Sequence, residues 1–378
     1  MFMIPQSLLG KLQSETRTLD QGLMTMCPSY VMNQGDITKL IESARDSFDI
    51  FGPVKKRTKH VFDKIDDPAQ IEMDYDSTIL SPRKFFQPPS EVMMTFDLEE
   101  KSVDDTLENL RAERPRLLLA VHSCDLNGIL LLDKVFGGEY VDHYYNIRRD
   151  KTTIVGLNCL EPCEYGFCRS MNTHHVVEGY DLFLTPIDGD RYFVQVGTAK
   201  GEHLIHMAEN LFTLAETGDV QSFKNALKHK QEALPHEVDL EGINEYLDLS
   251  FSHPVWDEIA EDCVNCGACA MVCPTCYCYD VVDELDISLT SADRTRKWDA
   301  CLFQDFALVA GGHNFRETPA ARLKYRFYHK MRGFANEYGI IGCTGCGRCT
   351  AACPSDISIK EVLKRLSTIW EVPVSGVK

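Results

Sequence analysis

Residues 263–280, CVNCGACAMVCPTCYCYD, place six cysteines in eighteen positions. Cys263, Cys266, Cys269 and Cys273, followed by Pro274, are spaced C-x2-C-x2-C-x3-C-P. Cys343, Cys346, Cys349 and Cys353, followed by Pro354, repeat that spacing 80 residues later. Three cysteines so spaced wrap one loop around a corner of an iron–sulfur cubane, while the fourth reaches the other cubane of a two-cluster protein. The crossed rule assigns Cys263, Cys266, Cys269 and Cys353 to one 4Fe-4S cluster, and Cys343, Cys346, Cys349 and Cys273 to a second. Zinc is the competing chemistry, but structural zinc sites use C-x2-C pairs across a spacer, not triplets closed by Cys-Pro.

A weaker constellation lies upstream. RLLLAVHSC and TTIVGLNC each read as a buried strand ending at a cysteine, Cys124 and Cys159, with helical spacing in DLNGILLLDKVF between them. A strand, helix and parallel strand bring both strand ends to one sheet edge, where sites in open α/β sheets gather. The run CLEPCEYGFC then adds Cys163 and Cys168. Four cysteines at that edge would supply ligands for a third 4Fe-4S cluster, with zinc or unligated thiols as alternatives.

The elements that must hold these cysteines divide the chain. The fold class expected is α+β: an α/β domain over residues 1–240, then a helical dicluster ferredoxin-like domain over 250–370. DLFLTPI and RYFVQVGTA read as further strands, and GEHLIHMAENLFTLAE as an amphipathic helix. The acidic stretch from Lys228 to Asp262 reads as the linker. Sixty-nine residues separate Cys273 from Cys343. Within that insert CLFQDFALVAGGHNF and AARLKYRFYHKMRGFANEYG have helical spacing, with Gly311, Gly312 and Gly339 as stops. Cys276, Cys278 and Cys301 are left over, as small buried apolar residues or as ligands. The basic segment Arg316–Arg332 fits a subunit-docking face, a field that raises cluster potentials, or a solvated helix face. His122, His174 and His175 stay unassigned.

Composition narrows the classes. At 378 residues, with 44% hydrophobic and 25% charged residues, the chain has material for two or three globular domains. A formal net charge of −18 argues against a nucleic-acid partner. The first residues, MFMIPQSLLGKLQSETRTLDQG, lack the basic start and clean apolar stretch of a secretory signal. The most apolar run, LLLAVHSCDLNGILLLDKVF, is broken by His122, Asp125, Asn127 and Asp133, so no membrane span is expected. A cytoplasmic location follows, where clustered thiols usually mean metal or redox chemistry. No G-x-G-x-x-G follows a strand, and neither VAGGHNF nor the terminal GVK fits, so no flavin or nucleotide is expected in this chain.

Five blocks carry a resemblance: HSCDLNGILLLDKVF, YYNIRRDKTTIVGLNCLEPCEYGFCRSM, HPVWDEIAEDCVNCGACAMVCPTCYCYDV, RKWDACLFQDFALVAGGHNF and CTGCGRCTAACP. In order, from about Ser81 to Leu366, they resemble the beta subunit of cytoplasmic sulfhydrogenase-type nickel–iron hydrogenases. The iron–sulfur relay chain of anaerobic sulfite reductase is similar in the same blocks. The resemblance implies a non-catalytic electron relay. In such complexes the NAD(P)H would be handled by a flavin-binding partner, and hydrogenase small and large subunits would hold further clusters and the nickel–iron site. A sirohaem sulfite reductase relay and a protein with clusters that merely brace the fold are the competing readings. Relatives carry Cys-Phe-Cys where this chain has Gly166-Phe167-Cys168. Cys163 is the candidate replacement thiolate; failing it, the third cluster would have another fourth ligand or be absent.

Overall fold

The computed structural model describes residues 28–370, so the stretch read for a secretory signal and the terminal GVK lie outside the described residues. Twelve strands occur among the described residues. In chain order they are β1 (Tyr30–Asn33), β2 (Asp49–Lys56), β3 (Lys59–Lys64), β4 (Ser90–Asp97), β5 (Ser102–Asp105) and β6 (Arg116–His122). They continue as β7 (Thr152–Leu157), β8 (Leu182–Ile187), β9 (Arg191–Val196), β10 (Thr213–Leu214), β11 (Tyr279–Leu285) and β12 (Ser291–Trp298). The fold class is α+β, with the sheets weighted to the amino-terminal half.

One sheet runs β10-β1-β9-β8-β7-β6-β2-β3, with β2, β6, β7 and β8 parallel to one another. Parallel strands covered on both faces read as continuous apolar runs, as RLLLAVH and TTIVGL do. Alternation along β6 sorts its residues between two cores. Leu117 and Leu119 join Leu40, Ile41 and Leu184 on one face; Leu118 and Val121 meet Leu126, Ile129 and Leu132 on the other. The last three belong to the helix Ser123–Phe136, which links β6 to β7 as expected. The β6–β7 register shifts between Leu118 and Val121, and Ala120 there takes a left-handed φ of 57°. Such a bulge re-aims the residues that follow it, here His122 and Cys124.

The carboxyl-terminal half packs around Trp256, Phe327, Met331, Leu363 and Leu366. Several expectations need correction here. The segment 228–262 is no linker: it completes the helix Thr217–Ala233 and supplies the helices Ile243–Leu249 and Val255–Asp262. Its Val238, Ile243, Leu247, Val255 and Ile259 enter the core, so its acidic composition marks only the outer faces. The helix expected at 201–216 stops at Met207, and Thr213–Leu214 pair with β1 instead.

The insert is not wholly helical either. β11 and β12 form a hairpin that continues into β4 and β5 as a second sheet, β11-β12-β4-β5. Much of this hairpin is exposed and charged, so it lacks the apolar alternation that marks a half-buried strand. CLFQDFALVAGGHNF yields only a turn at Gln304–Ala307 and a loop closed by a Leu308–Asn314 bridge. Gly311 and Gly312 sit in that loop with φ of 87° and 78°, as turn residues rather than helix stops. The second expected helix is present: Pro319–Phe327 passes through a π-helical turn at Tyr328–Gly333 into Phe334–Tyr338, and ends at Gly339 with φ 73°.

Candidate functional site

The two cysteine loops are copies in conformation as well as in spacing. Asn265 and Gly345 occupy equivalent places with φ of 54° and 64°; Gly267 and Gly347 follow with 73° and 75°. Glycine and asparagine are the residues that adopt this region most easily. Each loop then enters a four-residue helix, Ala268–Met271 or Arg348–Ala351. The left-handed residues also permit close approach: a Cβ on Gly267 would lie 2.4 Å from Phe303, and one on Gly347 would lie 2.3 Å from the Tyr165 carbonyl oxygen.

The crossed rule brings the expected residues together. Cys263, Cys266 and Cys269 from the first loop and Cys353 from the second line one cavity. Cys273 lies within electrostatic reach of Cys343, Cys346 and Cys349. Backbone amides point at two sulfurs, Gly345 N–H at Cys343 Sγ and Ile357 N–H at Cys353 Sγ, each at 3.4 Å. Such donors favour the thiolate.

The upstream cysteines converge too. Cys124 lies in the first turn of its helix rather than at the strand end, and lines a cavity with Cys159, Cys163 and Cys168. Cys163 Sγ is also 3.4 Å from the Asp76 carbonyl oxygen, to which the thiol donates. His122, Ser123 and His174 complete part of the wall. His122 stacks on Tyr75 at 4.0 Å, and burial, then the charges of Arg348 and Lys230, hold its pKa down to about 3. His174 faces Gln231 at 3.1 Å and is lowered to about 4, chiefly by burial. Both imidazoles are neutral at ordinary pH.

The three constellations adjoin in order. Cys349 belongs to the middle set yet lines the cavity of Cys263, Cys266, Cys269 and Cys353. Cys346, also of the middle set, lines the cavity of Cys124, Cys159, Cys163 and Cys168. The contact with the amino-terminal half is direct: Phe167 N–H donates to Gly345 O at 2.7 Å and Thr173 Oγ1 donates to Thr344 O at 2.6 Å. Gly128 of the Ser123–Phe136 helix abuts Pro274, where an added Cβ would come within 2.8 Å.

Three cations of the basic segment turn inward. Arg322, Arg326 and Lys330, four residues apart, are buried, which removes the docking-face and solvated-face readings for these three. Arg326 Nη2 donates to Cys269 O at 3.0 Å, and Nη1 lies 3.8 Å from Cys276 Sγ. Lys330 Nζ donates to Thr275 Oγ1 at 2.7 Å and Gly342 O at 3.0 Å. Among the described residues, neither has a carboxylate partner. Arg348 differs, because Asp125 receives two of its N–H groups at 2.6 and 2.7 Å.

Uncompensated interior cations are costly, and their neighbours here are sulfurs. Burial works against the charge of Lys330, but Cys273 and Cys276 as thiolates outweigh it and raise its pKa. The thiols feel the converse: burial pushes Cys343 up to about 11 and Cys349 and Cys163 to about 12. Deprotonated thiolates bound to iron would supply the missing negative charge, so the donor set fits 4Fe-4S clusters. Among the described residues, no three His, Cys, Asp or Glu side chains are grouped so as to hold a single metal ion.

The leftover cysteines border the same region. Cys276 Sγ faces the Arg326 guanidinium, and Cys301 is buried in the carboxyl-terminal core. Sequence reasoning gave Asp125, Lys230 and Arg348 no part in the site. The available signal was Arg348 standing inside a cysteine loop, and Arg326 and Lys330 sharing a helix face with buried Leu323 and Phe327.

Residues 262–357 match the family model described as 4Fe-4S dicluster domain. The chain is 37% identical over 314 residues to sulfhydrogenase 2 subunit beta of Pyrococcus furiosus, covering 83% of this chain and 91% of the relative. No solved structure matches. No helix among the described residues is long and apolar enough to cross a membrane. The ordered cysteine sets, the dicluster match and the identity across both halves place this chain in the sulfhydrogenase beta-subunit family of iron–sulfur proteins.

Proposed function

We infer that this chain is the electron-relay subunit of a cytoplasmic nickel–iron hydrogenase, set between a flavin subunit that handles NAD(P)H and the hydrogenase small and large subunits. It would do no substrate chemistry of its own. Cys263, Cys266, Cys269 and Cys353 would hold one 4Fe-4S cluster, Cys273, Cys343, Cys346 and Cys349 a second, and Cys124, Cys159, Cys163 and Cys168 a third. Clusters so held carry single electrons.

One observation carries the reading: Cys349 and Cys346 of the middle set line the cavities of the two outer sets. Such adjacency suits transfer along a row and is more than bracing a fold requires. The polypeptide's work is to exclude water, fix the thiolates and set the surrounding charge. The middle set is the most enclosed, whereas Cys266 of the first set is exposed and gives a partner access to one end.

The test is anaerobic purification of the intact complex, identification of its subunits and iron counting. About twelve iron atoms per copy of this chain, beyond those of the partner subunits, are expected together with nickel and a large hydrogenase subunit. About eight would remove the third cluster. Sirohaem in place of nickel, or a colourless protein holding zinc, would overturn the reading.

A further inference from the structure

We propose that Lys330 is a positioning residue that raises the reduction potential of the middle cluster, the one assigned to Cys273, Cys343, Cys346 and Cys349. This rests on the relay reading above and names one residue that sets the middle centre's potential.

The geometry is specific. Lys330 lies in the π-helical turn Tyr328–Gly333, and turns of this kind often occur at functional sites. Its ammonium group is buried and bridges both cysteine loops, at Thr275 two residues after Cys273 and at Gly342 one residue before Cys343. These are the two places where the chain enters the middle set. Thr275 Oγ1 lies 3.3 Å from Cys273 Sγ and 2.7 Å from Gly342 O. A hydroxyl has one proton to give. The Thr275 hydroxyl gives it to Gly342 O, and Lys330 donates to both that hydroxyl oxygen and that carbonyl, so the ammonium charge is pinned between the residues that flank Cys273 and Cys343.

The uncompensated positive charge, held at this place, stabilises the more negative, reduced cluster. The cations around the other sets are arranged differently. Arg348, between the middle and upstream sets, is neutralised by Asp125. Arg326 donates to Cys269 O of the first set and lies beside Cys276, so its charge is shared. Lys330 alone of the three is tied by hydrogen bonds to both loops of the middle set.

The experiment is a dye-mediated reductive titration of the intact complex, followed by electron paramagnetic resonance, for the parent protein and Lys330→Met. The midpoint of one centre is expected to fall by at least tenfold in its reduction equilibrium, about 59 mV for a one-electron couple. The other midpoints stay in place, and Lys330→Arg recovers most of the shift. An iron-replete Lys330→Met protein with every midpoint unmoved, or with all moved together, overturns the proposal. If Lys330→Met loses iron, Lys330→Gln decides: it keeps a hydrogen-bond donor but removes the charge, and the midpoint of one centre must again fall. An unmoved midpoint in Lys330→Gln would then overturn the proposal. Failure of the relay reading looks different, because it alters iron content, signal number or partner subunits in the parent protein itself.

Discussion

Asp125→Asn is an isosteric change that leaves the Arg348 guanidinium buried without its counter-charge. The two side chains are 1% and 3% exposed, and their two contacts measure 2.6 and 2.7 Å. Breaking a buried pair by removing one partner costs about 3–5 kcal/mol, because the remaining charge has no water to turn to. The loss is local: Arg348 keeps its bonds to Thr78 O at 2.7 Å and Thr78 Oγ1 at 3.1 Å. A large cofactor protein is best judged by its rate of unfolding, and about 1.4 kcal/mol is a factor of ten in rate. If the pair is broken in the transition state, Asp125→Asn should lose its visible cluster absorbance about a hundredfold to a few thousandfold faster in anaerobic denaturant. The double variant Asp125→Leu with Arg348→Met should recover part of that loss. Full recovery is not expected, since the Thr78 carbonyl oxygen then lacks its donor, at about 1–3 kcal/mol. A decay rate for Asp125→Asn within threefold of the parent, or a double variant less stable than the single one, would refute the argument.

Cys266→Ser should lower the iron content by about four atoms per chain and spare the other two sets, as read by iron analysis and the number of resonance signals. Cys163→Ser separates the alternatives for the upstream site: the same loss of about four irons is expected, and an unchanged count would show that another group completes that set. Gly347→Ala must both hold a φ of 75° with a side chain and clear the Tyr165 carbonyl 2.3 Å away, so purified protein should contain less iron than the parent. Gly35→Ala, with nothing within 4 Å of the added methyl, should match the parent.

Spacing alone pointed to the two carboxyl-terminal sets, because a cubane loop is local: three thiolates and their left-handed residues fit in seven positions, Cys263 to Cys269 or Cys343 to Cys349. The strands β6 and β7 were legible for a related reason, since a strand buried on both faces must be apolar throughout. The hairpin β11–β12 was not legible, because its charged residues form ion pairs along the strands, as Arg294 does with Asp283 at 2.7 Å, and leave no alternation to read. The segment 228–262 misled in the opposite way: its acidic residues dominate the composition while a minority of apolar ones, Val255 and Trp256 among them, do the packing.

The sequence by itself determined the chemistry, an iron–sulfur protein with two duplicated loops and a third group of cysteines at a sheet edge. The tertiary structure decided the order of the sets, with Cys346 and Cys349 reaching the walls of the two neighbouring cavities. It also decided the charges, turning Arg326 and Lys330 inward and pairing Arg348 with an aspartate 223 residues away. The physical reason is range. Thiolate spacing around a cluster is set by a few consecutive residues, whereas the field at a buried sulfur depends on which distant cations the folded core excludes from water.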